Sequence, residues 1–114
     1  MPIVNPGEIW KINIPDTQGH EQRGNRPALV VAVHPTAYVT MVIPFTKNQD
    51  YLRFPNSHKV VRSVSNGLLL DSVALIFQMR CLTNSDHRFL SKYGIIEQNQ
   101  FSYIKLLIKN YLRI

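Results

Sequence analysis

Cysteine, acidic residues and long apolar runs are all scarce in this chain of 114 residues. The single cysteine, Cys81, cannot form an internal disulfide, which excludes the disulfide-stapled class of small secreted domains. No apolar run approaches the roughly 20 residues that a membrane-spanning helix needs. Residues 1–6 lack a basic stretch followed by an apolar one, so we expect no signal peptide and a cytoplasmic location.

Familiar metal and nucleotide motifs are missing as well. The histidines show no close pairing in the sequence, and Cys81 stands alone, so we expect no metal site. The glycines do not precede a lysine at the spacing of a phosphate-binding loop. No nucleophile-elbow pattern surrounds Ser72, which speaks against a serine hydrolase. Any chemistry is therefore expected to proceed without a metal or a bound cofactor.

Positive charge predominates among the ionisable residues. Lysine and arginine total 13 against 7 aspartate and glutamate, a net charge of +6. Such an excess favours a polyanionic partner, either nucleic acid or an acidic protein segment, although it also serves solubility alone. Hydrophobic residues make up 45% of the chain, enough for a packed core, and we expect residues 1–114 to form one domain.

Short apolar blocks predict a mainly β fold followed by one helix. Alternating or continuous apolar residues mark the strand candidates at residues 8–14, 28–34, 38–46, 52–54, 59–64 and 68–82. The second block is continuous, so both its faces should be buried, and Pro44 requires a bulge or an edge in the third. A turn is expected at Ser65-Asn66-Gly67 and a short helical turn at residues 84–90.

An apolar stripe then recurs at helical spacing near the end of the chain. Phe101, Ile104, Ile108 and Tyr111 are three or four residues apart, which predicts an amphipathic helix from about Glu97 to Leu112, packed on the sheet. Antiparallel strands followed by a terminal helix indicate an α+β or small-barrel architecture.

The segment from Pro15 to Arg26 is the best candidate for a functional loop, because a dozen mostly polar residues is long for a strand connection. Cleavage of RNA by its own 2′-hydroxyl needs proton exchange and a fixed cation for the phosphate. His20 suits the first role and Arg26 the second. From spacing alone, a solvent-exposed His20 and a loop-shaping salt bridge between Glu21 and Arg26 are equally open.

Several motifs, in order along the chain, resemble the MazF/PemK (Kid) toxins. Residues 19–27, Gly-His-Glu-Gln-Arg-Gly-Asn-Arg-Pro, match the G-x-E-Q-x-G-x-R-P pattern of that family. The other matching segments are Gly7-Glu8-Ile9-Trp10, Ile43-Pro44-Phe45-Thr46, Leu52-Arg53-Phe54-Pro55, Asn66-Gly67-Leu68, Asp71-Ser72-Val73-Ala74 and Gln78-Met79-Arg80-Cys81-Leu82. Their order and spacing make the resemblance specific over almost the whole chain.

This resemblance implies a dimeric, SH3-like small β-barrel of the CcdB/Kid/MazF type with a C-terminal amphipathic helix. It implies a sequence-specific, metal-independent endoribonuclease that cuts single-stranded RNA, leaves a 2′,3′-cyclic phosphate and is held by an acidic antitoxin. The implied catalytic residues are Arg26 for the phosphate and Thr46 as its hydroxyl partner; His20, a position at which relatives vary, is added from the loop chemistry above. The implied RNA-binding residues are Gln22, Phe54 and Gln78, and we add the basic Arg23 and Lys47.

One departure from the family concerns the residue before Gln78. Some relatives carry an acid there, where this chain has Phe77, so the chemistry would rest on Arg26, Thr46 and His20. Strand alternation places Phe77 in the core, unless a bulge turns it towards the groove, and Cys81 is expected to be a small buried hydrophobe. Two alternatives stay open: a catalytically silent RNA- or antitoxin-binding module, and a gyrase poison of the CcdB type.

Overall fold

A computed structural model describes residues 2–14 and 24–114. Its strands are β1 Glu8–Ile14, β2 Gly24–His34, β3 Val39–Thr46, β4 Ser57–Val60, β5 Ser72–Leu75, β6 Arg80–Thr83 and β7 Phe89–Ile95. Two 3-10 turns lie at Gln49–Arg53 and Ile76–Gln78, and one α-helix, α1, spans Gln98–Leu112. Among the described residues, no helix is long and apolar enough to cross a membrane.

The strands form one antiparallel sheet in which β3 is the central junction. The order is β4-β5-β3-β2-β1-β7, and β6 also pairs with β3. The first half of β3 pairs with β6, ending at Val42 opposite Arg80, and its last residues pair with β5, beginning at Phe45 opposite Ala74. Pro44 lies where the partner changes, so its missing amide hydrogen interrupts neither ladder. The predicted bulge or edge at Pro44 is therefore not found: Pro44 pairs with Ala28 of β2, and the register shift between β2 and β3 lies between Val30 and Ala32.

Apolar side chains are buried on both faces of the sheet. In β2, Leu29 belongs to one core cluster and Ala28 and Val30 to the other, because alternate residues of a strand point to opposite faces. The prediction that β2 is buried on both sides holds for these residues. It is wrong for the end of the strand, where Ala32 and His34 are exposed.

Helix α1 covers the face that carries the first core cluster. Ile104 is fully buried there, and Phe101, Leu107 and Ile108 pack against the same cluster. The predicted helix is confirmed within one residue at its start. Tyr111, which the apolar stripe included, is instead exposed in the last turn.

Three predictions of local structure were wrong. Residues 52–54 belong largely to the 3-10 turn that ends at Arg53 and not to a strand. The block at 68–82 is divided into β5 and β6 by the 3-10 turn at Ile76–Gln78, and the prediction missed β7 altogether. The expected helical turn near residues 84–90 exists, with Arg88 and Phe89 both donating backbone hydrogen bonds to the Ser85 carbonyl, but β7 begins at Phe89.

Candidate RNA-cleavage site

Arg26 lies near the start of β2, between two strands that restrict its position. Its backbone lies opposite Ile12 of β1. On the other side β2 pairs with β3, with Ala28 opposite Pro44, so Arg26 lies close to the end of β3. The side chain is half-buried, and its Nη1 donates a hydrogen bond to the Phe45 carbonyl at 3.2 Å. This hydrogen bond fixes the orientation of the guanidinium, a planar group with five N–H donors.

The charge of Arg26 persists despite its burial. Burial lowers the pKa of the Arg26 guanidinium, while the nearby Tyr51 phenol opposes that shift. Arginine nevertheless remains protonated at neutral pH because its ordinary pKa lies so far above 7. A partly desolvated cation of this kind interacts more strongly with a phosphate than a fully hydrated one would.

Thr46 is the last residue of β3 and directly follows the carbonyl that Arg26 binds. Only 8% of it is exposed, and its Oγ1 accepts a hydrogen bond from the Asn48 backbone amide at 3.2 Å. That contact orients the hydroxyl oxygen and uses it as an acceptor. A hydroxyl that accepts in this way can still donate its own hydrogen to another acceptor.

Arg26 and Thr46 line one cavity of about 340 Å³. The residues around it are Asn25, Arg26, Pro27, Phe45, Thr46, Lys47, Leu68, Leu69, Leu70, Ser72 and Tyr93. The lining includes two cationic side chains, those of Arg26 and Lys47, and three consecutive leucines at 68–70, which we call the leucine wall. The sequence prediction placed Arg26, Thr46 and Lys47 in one site but missed the leucines.

The leucine wall is held in place by Asn66 and Gly67. Asn66 is fully buried; its Oδ1 accepts from the amides of Ser63 and Leu68, and its Nδ2 donates to Glu97 Oε1 at 3.2 Å. Gly67 has a φ of +69° and approaches the Tyr93 backbone so closely that a Cβ would collide with it. The predicted turn at 65–67 is confirmed, and its Asn-Gly pair was the only signal that this segment has a special conformation.

A second group of predicted residues forms an aromatic cluster beside the first site. The Phe54 ring packs against Tyr51 with centroids 5.7 Å apart and against Phe77 at 5.8 Å. Phe54 is 38% exposed, and the Arg53 guanidinium lies over its ring, 4.8 Å from the centroid. Gln78 follows Phe77 in the second 3-10 turn and is half-buried. Neither Phe54 nor Gln78 lines the cavity around Arg26.

Two predictions about this region need correction. Phe77 was predicted to point into the core through strand alternation, but a 3-10 turn replaces the strand there and leaves the side chain half-buried against Phe54. Cys81 was predicted to be buried, but it is exposed on β6. The alternation at Phe77 was read across a break in the strand, whereas the expectation for Cys81 rested only on the usual burial of free cysteines.

Three predicted residues, His20, Gln22 and Arg23, lie outside the described residues. The structure therefore does not test their roles. Within residues 2–14 and 24–114, no group of three or more histidine, cysteine, aspartate or glutamate side chains is arranged to hold a metal ion.

Comparison with known proteins decides the family. Residues 5–112 match the family described as PemK-like, MazF-like toxin of type II toxin-antitoxin system. This chain belongs to that toxin family. Within the family, it is similar to the endoribonuclease PemK of Escherichia coli, with 38% identity over 50 residues. That alignment covers 41% of this toxin and 38% of the relative, so it spans less than half of either chain.

Two solved structures share the fold of this toxin. MazF (Form-I) from Deinococcus radiodurans matches with a TM-score of 0.79 and 20% identity, covering 100% of both chains. A chain of the MazE-MazF (Form-II) structure from the same organism matches with a TM-score of 0.74 and 16% identity, covering 98% of this toxin and 97% of that chain. The predicted MazF-type sheet with a C-terminal helix is thereby confirmed.

Proposed function

We propose that this toxin is a sequence-specific endoribonuclease that cleaves single-stranded RNA without a metal, so that it inhibits translation and growth. The observation that carries the proposal is the convergence of Arg26 and Thr46 on one cavity, joined through the Arg26–Phe45 hydrogen bond. A half-buried cation beside an oriented hydroxyl is suited to stabilising a phosphate on which negative charge develops. Membership of the toxin family supports the same conclusion.

The proposed reaction is an internal displacement at phosphorus. The ribose 2′-oxygen attacks the adjacent phosphorus and forms a new P–O bond, while the bond to the 5′-oxygen breaks. The 2′ proton passes to a base, the leaving 5′-oxygen takes up a proton, and a 2′,3′-cyclic phosphate remains. Arg26 binds and neutralises the non-bridging oxygens, and Thr46 orients one of them. His20 is the proposed proton-exchanging group, since imidazole titrates near neutral pH.

RNA recognition is assigned to groups around this centre. Lys47 is exposed at the edge of the cavity and supplies charge for the RNA backbone. Phe54, supported by Tyr51 and Phe77, offers a stacking surface of the kind that typically contributes about 1–3 kcal/mol per base. The proposed RNA-binding groove also includes Gln78, which directly follows Phe77, together with Gln22 and Arg23. Phe77 therefore takes the place of the relatives' acid as part of a base platform.

The proposed protein partner is an acidic antitoxin. The net charge of +6 favours association with an acidic, partly disordered segment that would cover the RNA groove. The MazE-MazF structure from Deinococcus radiodurans contains a similar chain and supports this assignment. We further propose that the toxin acts as a cytoplasmic homodimer.

Single-turnover cleavage of an oligonucleotide with one cleavage site tests the proposal. We expect wild-type protein to cut in the presence of EDTA and to leave a 2′,3′-cyclic phosphate. Arg26→Ala should nearly abolish cleavage yet bind a 2′-deoxy analogue within a modest factor, because a transition-state contact affects rate more than affinity. Arg26→Lys should recover little activity, since an ammonium lacks the bidentate fork.

The controls separate catalysis from folding and from contamination. Circular dichroism of Arg26→Ala must match that of wild type. Cleavage by Arg26→Ala at the wild-type rate would show that the arginine is structural. Activity that disappears with EDTA and returns with Mg²⁺ would contradict the metal-free mechanism. Wild-type protein that binds RNA without cutting any mapped site would favour the silent binding module, and poisoning of gyrase would favour the CcdB-type alternative.

A further inference from the structure

A basic cleft adjoins the proposed catalytic cavity. Its volume is about 480 Å³, and we call it the Lys59–Arg62 cleft; it is lined by Lys47, Gln49, Lys59, Arg62, Leu70 and Asp71. Lys47 and Leu70 also line the cavity that holds Arg26 and Thr46. A ligand leaving the catalytic cavity past Lys47 therefore enters this cleft directly.

Sheet register relates the cleft to the catalytic hydroxyl. Val73 of β5 is paired with Thr46 of β3 on one side and with Lys59 of β4 on the other. Directly opposed residues of antiparallel strands project from the same face of a sheet. Thr46 and Lys59 thus share a face and are separated by two strand spacings, about 10 Å across the sheet.

Hydrogen bonds hold the frame of the cleft. Gln49 Nε2 donates to the Asp71 carbonyl at 3.1 Å, which ties the first 3-10 turn to the start of β5. The Arg62 backbone amide donates to Asp71 Oδ1 at 3.0 Å, and Arg62 Nη1 donates to the Leu69 carbonyl at 3.4 Å. The second of these contacts holds the Arg62 guanidinium beside Leu69 of the leucine wall.

The balance of charge in the cleft is positive. The side chains of Lys47, Lys59 and Arg62 face a single carboxylate, that of Asp71. All three cationic residues are exposed, and none has a carboxylate within ion-pair distance among the described residues. Adjacent like charges repel one another, so an arrangement of this kind is stabilised when a polyanion enters.

We infer that the Lys59–Arg62 cleft binds the phosphodiester backbone of the RNA that flanks the scissile phosphate. The inference rests on the proposed function, because it takes Arg26 and Thr46 as the point of cleavage. Among the described residues that line it, Leu70 is the only apolar side chain, so the cleft offers charge but little surface for an apolar anchor of a peptide. Continuity with the catalytic cavity also favours an extended RNA over an acidic protein segment.

Binding of 2′-deoxy oligonucleotides, followed by fluorescence anisotropy at several salt concentrations, tests the inference. Wild type, Lys59→Gln/Arg62→Gln and the charge-matched control Lys105→Gln/Lys109→Gln on α1 are compared. One probe contains only the cleavage dinucleotide, and the other extends it on both sides. We expect Lys59→Gln/Arg62→Gln to bind the long probe more weakly, with a salt slope lower by about 1.4 for two lost phosphate contacts. The control should bind as wild type does.

Further arms separate the possible failures. Lys59→Gln/Arg62→Gln should raise KM for the long substrate and leave its saturating single-turnover rate unchanged, because these side chains touch no reacting atom. Lys59→Gln alone, at an exposed strand position, should give about half of the effect on the salt slope. Equal affinities and slopes in the cleft variant and the control would overturn the inference.

The inference would also be overturned if Lys59→Gln/Arg62→Gln lost binding of polyglutamate but kept its binding of RNA, since the cleft would then serve an acidic peptide. Failure of the proposed function gives a different pattern. In that case the cleft effect on binding persists, while Arg26→Ala cuts as wild type does.

Discussion

At the scale of single residues, Arg26 and Thr46 are related by one shared peptide unit. Arg26 binds the Phe45 carbonyl, and Thr46 follows Phe45 directly, so a small movement of β3 would shift both groups together. This coupling keeps the distance between cation and hydroxyl constant, which is the kind of preorganisation that lowers the barrier for a charged transition state.

Thr46→Val tests the hydroxyl itself. Valine keeps the β-branched shape at this buried strand position but removes the proposed donor to the phosphate. We expect the single-turnover cleavage rate to fall about 10²-fold, a typical cost of losing one such donor. Affinity for a 2′-deoxy analogue should change little.

Thr46→Ser serves as the matched control, because it keeps the oxygen that accepts from the Asn48 amide. We expect it to retain most of the activity. Equal loss in the serine and valine variants would assign Thr46 to packing. A valine variant that bound the analogue much more weakly would assign Thr46 to ground-state binding.

At the scale of elements, Glu97 links the start of α1 to the turn that positions the leucine wall. Its carboxylate accepts hydrogen bonds from Ser63 Oγ and from Asn66 Nδ2. The hydrogen bond from Ser63 lowers the pKa of Glu97 below its ordinary value of 4.5, burial partly opposes this, and Asn66 adds to the lowering. A depressed pKa in the folded state means that Glu97 stabilises the fold only when it is ionised.

The pH dependence of unfolding tests this link. The contribution of Glu97 should be complete well above pH 4.5 and be lost as the pH falls through the lower pKa of the folded state. In urea denaturation at pH 7, Glu97→Gln should reduce the free energy of unfolding by about 0.5–1 kcal/mol, the difference between charged and neutral hydrogen bonds after allowance for partial exposure. The difference from wild type should shrink in acid.

Asp86→Asn is the control for that experiment, since it removes a carboxylate that is exposed in the turn before β7. It should change the free energy of unfolding little at either pH. A constant difference between Glu97→Gln and wild type across the acid range would mean that ionisation of Glu97 does not stabilise the turn.

At the scale of the whole molecule, we propose a two-fold dimer, as the family resemblance implies. Large apolar side chains such as Leu69, at 73% exposure, and Val64 lie on the surface of the single chain. Symmetric pairing is the commonest way in which soluble chains cover such surfaces. Sedimentation equilibrium at micromolar concentration should give twice the chain mass of 13.2 kDa. A mass of one chain would contradict the dimer.

Much of the sheet and the helix could be predicted because each has a local signature. The centre of the candidate site had none: the resemblance to the toxin family implied Arg26 and Thr46, which the structure brings to one cavity. Alternation identified β1, the valine-rich run identified most of β2, and the stripe beginning at Phe101 identified α1. These patterns are readable in sequence because burial imposes a short period on the side chains of each element.

Other features depended on contacts between residues far apart in the chain, so only the tertiary structure could decide them. The 3-10 turns around Tyr51 and Phe77 replace strands that propensity favoured, and they bring Phe54 against Phe77. The leucine wall lies near Arg26 because hydrogen bonds of Asn66 fix the turn before it. Asn66 accepts from the Leu68 amide and donates to Glu97 at the start of α1. Lys59 and Thr46 share a face of the sheet only because β5 pairs with both β4 and β3. Sequence alone determined which residues prefer strand, helix or turn, whereas the closing of long loops determined which of their side chains meet.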